Sequence, residues 1–340
     1  MLASVRIGAA FEPTAAAYYR GLYPLEAMMR RGHEIVWPEL ESGDPRVDEL
    51  GDCDVIYVFR RSEDAVRRAL APLAARGVGI VWDTDDDLSA IPRRSPTYKT
   101  HGALRGQRRF AETLRMARLA HVMMASTDVI REKYASNGIS GIEVVENHLP
   151  PKIKRKSARH DGLVIGWIAA MEHQQDVIEM RMREVLEAVL AEHPDVRVES
   201  VGVDIGLADR YTRTAATHFS KLPDHMARYD IGLAPIVDIP FNLARSNIKV
   251  KEYAASGVPW LASARGSYVG LGEAQGGLLV EDHEWGEAID ALIRDKRRRK
   301  KLSRAGKSWA KTQTVDRLAD RWEAILHAAA ARAGEARGAA

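Results

Sequence analysis

From Val5 to Glu146, short apolar runs alternate with longer amphipathic stretches, which predicts strands that alternate with helices. Glycines follow two of the predicted helices, Gly32 and Gly77, where a helix commonly ends. Strand–helix–strand units are typical of a parallel sheet with helices on both faces. The first half is therefore predicted to be one doubly wound domain, with strands Val5–Ala10, Glu34–Trp37, Asp54–Phe59, Val78–Trp82, His121–Ser126 and Ile142–Glu146 and helices Tyr18–Arg31, Ser62–Arg76 and Arg105–Ala120.

A second alternation of the same kind begins at Gly162. The segment between Leu149 and Asp161 has no apolar periodicity and contains Pro150 and Pro151, which predicts an interdomain hinge. We place the domain boundaries at 1–155 and 156–315, and expect a C-terminal helix within 316–340 to pack back toward the first domain. The second half is predicted to contain strands Gly162–Ile168, Val196–Val203, Ile231–Ala234, Pro259–Ala262 and Gly277–Val280 and helices Val177–Ala191, Ser246–Ser256 and Asp316–Ala330.

Composition is that of an ordinary globular protein, with 340 residues, of which 46% are apolar and 29% charged. This length exceeds that of a single core, which agrees with two domains. No run reaches the roughly 18 to 20 apolar residues of a membrane span, and the N-terminus lacks a signal-peptide pattern. The single cysteine, Cys53, excludes an internal disulfide and a cysteine-built metal site. We expect a cytoplasmic protein without a membrane span.

A basic segment near the C-terminus, Arg294–Lys301, contains seven cations in eight residues, although the net charge of the chain is only +3. Such a segment can contact phosphates of nucleic acid or an anionic membrane surface. A solvated helix face is the simpler interpretation, and the sequence leaves both open.

The segment Phe241–Ser263 is the most informative part of the chain, because it predicts a short helix that begins at a possible anion site. Ser246 or Asn247 can cap this helix, and Gly257 followed by Pro259 ends it after about ten residues. The free backbone N–H groups of a helix start attract anions.

Charged side chains accompany this helix start. Arg245 and Lys249 add two cations there, and Glu252, one turn beyond Lys249, can accept hydrogen bonds from hydroxyl groups. Cations for a diphosphate and a carboxylate for hydroxyls suit a nucleotide-sugar. The alternative is a surface helix whose charges are merely solvated.

Neither half contains a Gly-x-Gly-x-x-Gly turn after its first strand. Gly8 stands alone, and Gly166 is followed by Trp-Ile-Ala-Ala. A dinucleotide cofactor is therefore disfavoured, and we expect no cofactor besides a nucleotide-sugar substrate.

The order of three motifs resembles the retaining glycosyltransferase family four of the GT-B enzymes. These motifs are Tyr229–Pro235, Ser246–Pro259 and Gly277–Asp282, which resemble the family's "aDigl.P", "K.lEymAaGvPvvas" and "G.lv...d" segments. The resemblance implies two Rossmann-like α/β domains facing a central cleft, with the acceptor on the first domain and the donor on the second. It also implies transfer of a hexose from a UDP- or GDP-sugar, with retention of configuration and without a metal.

Several donor-site residues follow from the resemblance. Glu252 matches the second glutamate of the family's Glu-x7-Glu motif, which binds the donor's ribose. Ala244 stands where the first glutamate would be, so Asn242, Arg245 or the backbone of Ser246–Ile248, which includes Asn247, would have to contact the sugar. This departure leaves the identity of the sugar open.

The phosphate contacts are also modified. Arg245 and Lys249 would neutralise the diphosphate, as a metal does in other enzymes. The family's Gly-Arg…Lys phosphate pair is missing after the first strand of the second half, and His173 is the candidate replacement.

Three consecutive carboxylates, Asp85, Asp86 and Asp87, follow the fourth strand, where many family members have a histidine. The carboxyl ends of parallel strands open on the ligand cleft. One of these groups could orient the acceptor hydroxyl or stabilise a cationic sugar in the transition state. A metal-binding Asp-x-Asp and a structural helix cap are the alternatives.

Arginines follow two other strands of the first half. Arg20 after the first strand and Arg60 after the third could contact an acceptor phosphate or the donor, and Arg61 is a weaker candidate. Surface positions without function are the alternative.

The leading hypothesis is a glycosyltransferase, and two alternatives remain open. One is a nucleotide-sugar epimerase or phosphorylase on the same fold, and the other is a protein that binds or modifies nucleic acid through Arg294–Lys301. The acceptor could be a glycolipid, a protein, a small molecule or a modified nucleic acid.

Overall fold

The described residues of the computed structural model, which are 3–12, 14–38, 47–93, 95, 98–101, 103–152, 158, 160–215 and 217–339, form two parallel sheets of six strands each. The first sheet has the order β2-β1-β3-β4-β5-β6 and the second the order β12-β11-β10-β7-β8-β9. The strands are β1 Arg6–Ala10, β2 Glu34–Val36, β3 Val55–Phe59, β4 Gly79–Thr84, β5 Val122–Ala125, β6 Ile142–Val144, β7 Leu163–Ala169, β8 Val196–Gly202, β9 Tyr211–Thr214, β10 Ile231–Ala234, β11 Trp260–Ser263 and β12 Gly277–Val280.

Helices cover both faces of each sheet. They are α1 Ala15–Ala17, α2 Tyr23–Arg30, α3 Asp64–Ala75, α4 Tyr98–His101, α5 Ala103–Leu119, α6 Asp128–Ala135, α7 Gln174–Glu179, α8 Met182–Glu192, α9 Leu222–Met226, α10 Pro240–Leu243, α11 Ile248–Ser256, α12 Trp285–Arg294, α13 Lys296–Ala310 and α14 Ala319–Ala339. A π-helical turn, Tyr18–Leu22, joins α1 to α2. Short 3₁₀ turns include Leu88–Ala90, Met171–His173 and Phe219–Lys221.

The predicted fold class, two doubly wound α/β domains, is confirmed. Strand β3 is buried along its whole length because helices cover both faces, which explains its continuous apolar sequence. The bounds of β10 and β12 are those predicted.

Strand β9 and helix α6 are among the elements that were not predicted, and the predicted helix Val177–Ala191 is divided. Strand β9 lies at a sheet edge and is only partly buried, so its sequence lacks an apolar run. Helix α6 has only eight residues and therefore shows little periodicity in the sequence. The N-cap residue Thr127, which accepts a hydrogen bond from the Ile130 backbone, was the available signal for it. The predicted helix Val177–Ala191 is wrong as one element, because Arg181 adopts a left-handed conformation (φ 52°) between α7 and α8.

The C-terminal helix α14 packs on the first sheet. Trp322, Ile325 and Leu326 share a core with Ile7 of β1 and Val81 of β4. A Cβ atom at Gly79 would lie 2.7 Å from the Ala330 backbone nitrogen, so the close approach of α14 to β4 requires glycine. The chain returns to this domain near Leu149, whose carbonyl accepts a 2.8 Å hydrogen bond from the Val315 backbone.

Part of the predicted hinge, residues 153–157 and 159, lies outside the described residues. Among the helices that the structure does describe, none is long and apolar enough to cross a bilayer.

Candidate active-site cleft

A cleft of about 610 Å³ lies where the carboxyl ends of the two sheets face each other. The strand order reverses between β1 and β3 in the first sheet and between β7 and β10 in the second. In open α/β sheets ligands bind at such switch points, because the loops diverge there. Loops after β1, β3 and β4 line one wall, and loops after β7 and β10 line the other.

Helix α11 begins at the cleft, and Gly257 ends it in a left-handed conformation (φ 78°), as predicted. The predicted capping of this helix by a side chain is wrong. Asn247 is the N-cap residue, but its side chain makes no capping hydrogen bond. Its Nδ2 lies 3.4 Å from a Glu146 oxygen of the first domain, and Ser246 Oγ accepts a 3.0 Å hydrogen bond from Asn147. These side chains bind the domains together. Ser246 and Ile248 line the cleft, while Asn247 is not among its lining residues.

Both predicted cations line the cleft. The buried Arg245 Nη1 has no hydrogen-bond partner among the described residues, and its guanidinium lies 5.1 Å from the centre of the Phe241 ring. Lys249 Nζ lies 2.7 Å from Glu252 Oε2. A buried guanidinium N–H without a partner is costly, so this position favours an anion.

Glu252 lines the cleft and is 9% exposed. Its Oε2 accepts from Lys249, and its Oε1 accepts from the hydroxyl of Tyr19 in the first domain. Burial and the neighbouring Glu252 charge raise the pKa of Tyr19 well above its ordinary value, so this phenol is neutral. Both Glu252 oxygens therefore have donors in this structure.

His173 lines the cleft and has a partner that the sequence interpretation missed. Its Nδ1 lies 2.5 Å from Oδ2 of Asp176, which is 1% exposed. Burial lowers the pKa of His173, and the charges of Arg245 and Lys249 lower it further. His173 therefore lies at the cleft, where a replacement for the family's basic pair was predicted, and has a lowered pKa. The His-x-x-Asp spacing on a helical turn was the available signal for Asp176.

Asn242 is fixed by the same carboxylate. Its Nδ2 donates to Asp176 Oδ1 at 2.8 Å and to the Val237 carbonyl at 3.1 Å. Asn242 is 4% exposed but still lines the cleft.

The three consecutive carboxylates separate into two groups. Asp85 and Asp86 line the cleft and bind Arg60, whose Nε lies 2.6 Å from Asp85 and whose Nη2 lies 2.5 Å from Asp86. Burial raises the pKa of Asp85, and the Arg60 charge opposes this. Arg60 has a left-handed backbone (φ 59°), which turns its side chain at the end of β3.

Asp87, one of the candidate catalytic residues, is not among the lining residues of the cleft and has partners in the surrounding scaffold. It accepts a hydrogen bond from the Ser89 backbone at 3.1 Å, which caps the turn Leu88–Ala90. Its carboxylate also binds Lys133 Nζ at 2.5 and 2.6 Å. The helix-cap alternative therefore holds for Asp87. Arg60 binds Asp85 and Asp86, and Lys133 binds Asp87. The three carboxylates therefore do not converge as a free Asp-x-Asp metal site.

The proposed cleft position of Arg20 is wrong. Arg20 is 1% exposed and donates to both oxygens of Asp83, at 2.8 and 2.5 Å. Tyr57 also contacts Asp83, at 2.5 Å. Arg61 is 7% exposed, binds Glu63 and is likewise not a lining residue of the cleft. The sequence placed Arg20 near the correct strand end but could not show that a buried aspartate binds it.

The basic segment Arg294–Lys301 covers the end of α12 and the first residues of α13, and it contributes no lining residue to the cleft. Arg298 and Lys301 bind Glu273 at 2.8 and 3.1 Å, and Arg294 binds Asp290 at 2.8 Å. Lys296, Arg297 and Lys300 are exposed. Several of these cations thus have acidic partners.

Two groups of possible metal ligands occur among the described residues, and neither lines the cleft: His33, Glu323 and His327, and Glu192, His193 and Asp290. In the first group, His33 Nδ1 already accepts a hydrogen bond from the Val5 backbone, and its Nε2 lies 3.2 Å from Glu323 Oε1. Both ring nitrogens therefore have protein partners.

A scan against protein-family models gives no match, and a search of curated proteins gives none either. Solved structures do share the fold. Anabaena HepE in complex with UDP-glucose has a TM-score of 0.64 and 15% identity, covering 95% of this chain and 99% of that chain.

Two other similar structures extend this finding. An alpha-glucosyltransferase in complex with UDP and a 13-mer DNA containing an HMU base has a TM-score of 0.66 and 10% identity, covering 96% and 100% of the two chains. Sucrose-phosphate synthase from Thermosynechococcus elongatus has a TM-score of 0.58 and 13% identity, covering 97% of each. The chain therefore has the GT-B architecture.

Proposed function

We propose that the protein transfers a sugar from a UDP- or GDP-sugar to an acceptor hydroxyl. The observation that carries this proposal is the buried Nη1 of Arg245, which has no hydrogen-bond partner in the part of the chain that the structure describes and belongs to a cleft that Lys249 of α11 also lines. Two cations and a helix N-terminus can bind a diphosphate, and Glu252 can accept hydrogen bonds from the ribose hydroxyls. The ligands of the similar structures, UDP and UDP-glucose, support the same donor class.

The proposed chemistry requires the protein to hold two substrates and to stabilise a leaving diphosphate. Arg245 and Lys249 would neutralise the charge that develops on the diphosphate as the bond to the sugar breaks, without a metal. The diphosphate oxygen can accept the proton of the incoming hydroxyl on the same face, which gives retention of configuration. Arg60 and Asp86 on the opposite wall would orient the acceptor.

A nucleotide panel tests the donor class. Thermal shift with UDP-, GDP- and dTDP-sugars should show a stabilising ligand, and that donor should be hydrolysed slowly in the presence of EDTA. Arg245→Met and Lys249→Met should each weaken nucleotide binding about 10- to 100-fold, because each removes a charge-assisted contact. Glu252→Ala should also weaken binding.

Arg297→Met provides the matched control, because it removes an exposed cation of α13 outside the cleft. It should leave binding and hydrolysis unchanged. The proposal fails if no nucleotide raises the melting temperature, or if the control weakens binding as much as the cleft variants. Appearance of an epimerised donor without hydrolysis or transfer would favour the epimerase alternative, and loss of hydrolysis with EDTA would contradict a metal-free site.

A further inference from the structure

The contact between His173 and Asp176 lies beside the cations of the cleft and is not explained by donor binding alone. Asp176 is 1% exposed and accepts three hydrogen bonds, from the Val237 backbone at 2.9 Å, Asn242 Nδ2 at 2.8 Å and His173 Nδ1 at 2.5 Å. The carboxylate thus serves as the acceptor in all three contacts. Asp176 therefore determines how the His173 ring is turned.

The carboxylate also determines the tautomer of His173. Because the Asp176 carboxylate is the acceptor, Nδ1 must carry a proton and donate it to Asp176. Nε2 is then the ring nitrogen left for the cleft, which His173 lines with 15% of its side chain exposed. In the neutral ring Nε2 presents a lone pair.

Charged groups from three other elements face this ring. They are Asp176 of α7, Arg245 of the turn before α11 and Lys249 of α11. Tyr268 also lines the cleft, and burial raises the pKa of its phenol, so it stays neutral. Glu172, the neighbour of His173 in the chain, lines the cleft as well. Without a bound anion, burial and the two cations lower the pKa of His173 and keep its ring neutral.

A bound diphosphate reverses this balance. Its negative charges would offset those of Arg245 and Lys249, and its oxygens would meet a lone pair on Nε2, which repels them unless Nε2 is protonated. A proton on Nε2 changes this contact into a charge-assisted hydrogen bond. We propose that binding of a nucleoside diphosphate is coupled to uptake of one proton at His173 Nε2, with Asp176 as the positioning residue that makes this nitrogen face the ligand. This inference rests on the proposed function.

Calorimetry of UDP binding at pH 7.5, in Hepes and in Tris, tests the coupling. These buffers have different ionisation enthalpies, so the difference in heat measures the protons taken up. His173→Gln is the matched variant, because its amide can still donate to Asp176 but cannot titrate, and it corrects for the ionisation of UDP itself. Relative to this variant, the wild-type protein should take up about half a proton, and its affinity should rise roughly five- to tenfold between pH 8.5 and 6.5.

Asp176→Asn provides a second readout. An amide N–H facing Nδ1 would move the proton of neutral His173 to Nε2, so UDP should still bind but the proton uptake in excess of His173→Gln should disappear. If Asp176 had only a structural role, its replacement would not change the number of protons taken up on UDP binding. Equal proton uptake by the wild-type protein and His173→Gln overturns the coupling while leaving the donor site intact. Absence of binding by both UDP and GDP refutes the proposed function and this inference together.

Discussion

The hydroxyl of Tyr19 in the first domain donates a hydrogen bond to Glu252 Oε1 in the second domain, directly across the cleft. The Tyr19 ring also packs edge-on against Phe219, with 5.1 Å between ring centres. A ribose hydroxyl that binds Glu252 must therefore displace this phenol or share the carboxylate with it.

Tyr19→Phe is expected to strengthen UDP binding about three- to tenfold, because Oε1 becomes free for the ribose while the ring keeps its packing. Calorimetry measures this change directly. Tyr23→Phe is the control, since this ring belongs to the same aromatic cluster while the bond to Glu252 comes from Tyr19. Weaker binding by Tyr19→Phe would mean that the phenol stabilises the site and does not compete for it.

Asp86 and Asp87 are neighbours in sequence but are expected to differ when each is changed to asparagine. Asp86→Asn should lower the turnover of donor hydrolysis by about tenfold or more, because Asp86 lines the cleft and its charge can stabilise a cationic transition state. Asp87→Asn should leave turnover unchanged and cost about 1–2 kcal/mol of unfolding free energy, because it weakens the contacts with Lys133 and Ser89.

Initial rates and urea unfolding of both variants provide the measurements. If Asp87→Asn lost turnover at unchanged stability, the division of the three carboxylates between cleft and scaffold would be wrong.

The fold was predictable because the burial of parallel strands on both faces leaves a direct trace in the sequence. β10 and β12 are continuous apolar runs bounded by turns, and their limits agree with the structure. β9 left no such trace, because an edge strand with partly exposed side chains can carry Thr and Arg. The break between α7 and α8 was not predicted, because it lies at Arg181, which adopts a left-handed backbone conformation. Proline or glycine, the residues that usually mark such a break, is absent from this position.

The site was predictable only as far as helix α11 and the strand ends. Motif order placed Arg245, Lys249 and Glu252 at one cleft, but a motif does not show which polar groups already have partners. Arg20 shows the difference: its position after β1 suggested the cleft, whereas Asp83, 63 residues further along the chain, holds it in the interior. Contacts such as Tyr19 with Glu252 depend on how the two domains meet, which no local pattern records.

Arg20 and Asp83 form an ion pair in which the side chains are 1% and 0% exposed. Removing one partner leaves a buried charge without compensation, so Arg20→Met and Asp83→Asn should each lower the unfolding free energy by about 3–5 kcal/mol. Urea unfolding measures this loss. The folded fraction of either variant should bind UDP with unchanged affinity. If Arg20→Met were as stable as the wild-type protein but no longer bound UDP, Arg20 would belong to the ligand site and not to the scaffold.

Lys251 offers a test of how the domains are held together. The side chain is 0% exposed, although it belongs to the same helix as the cleft residues Lys249 and Glu252. Its Nζ lies 2.6 Å from Glu146 Oε2 and 3.0 Å from the Asn147 carbonyl, both of the first domain. Burial lowers the pKa of Lys251, and the Glu146 charge opposes this. The buried Lys251 ammonium has no access to water and therefore needs Glu146 as its partner. The Glu146 side chain is 49% exposed, so water can replace Lys251 as its partner.

Glu146→Ala should consequently cost more stability than Lys251→Met, about 2–3 against about 1–2 kcal/mol, because the buried ammonium cannot return to water while the half-exposed carboxylate can. Burial alone would raise the pKa of Glu146, but the charge of Lys251 and the hydrogen bonds from Lys251 and Asn247 together lower it. A carboxylate with a lowered folded pKa stabilises the protein above its unfolded pKa of about 4.3, and this contribution is lost as the pH falls through the folded value. Urea unfolding of wild type and Lys251→Met between pH 7 and 3.5 should therefore show a smaller acid loss in the variant, and equal acid losses would mean that the ammonium does not stabilise the Glu146 charge.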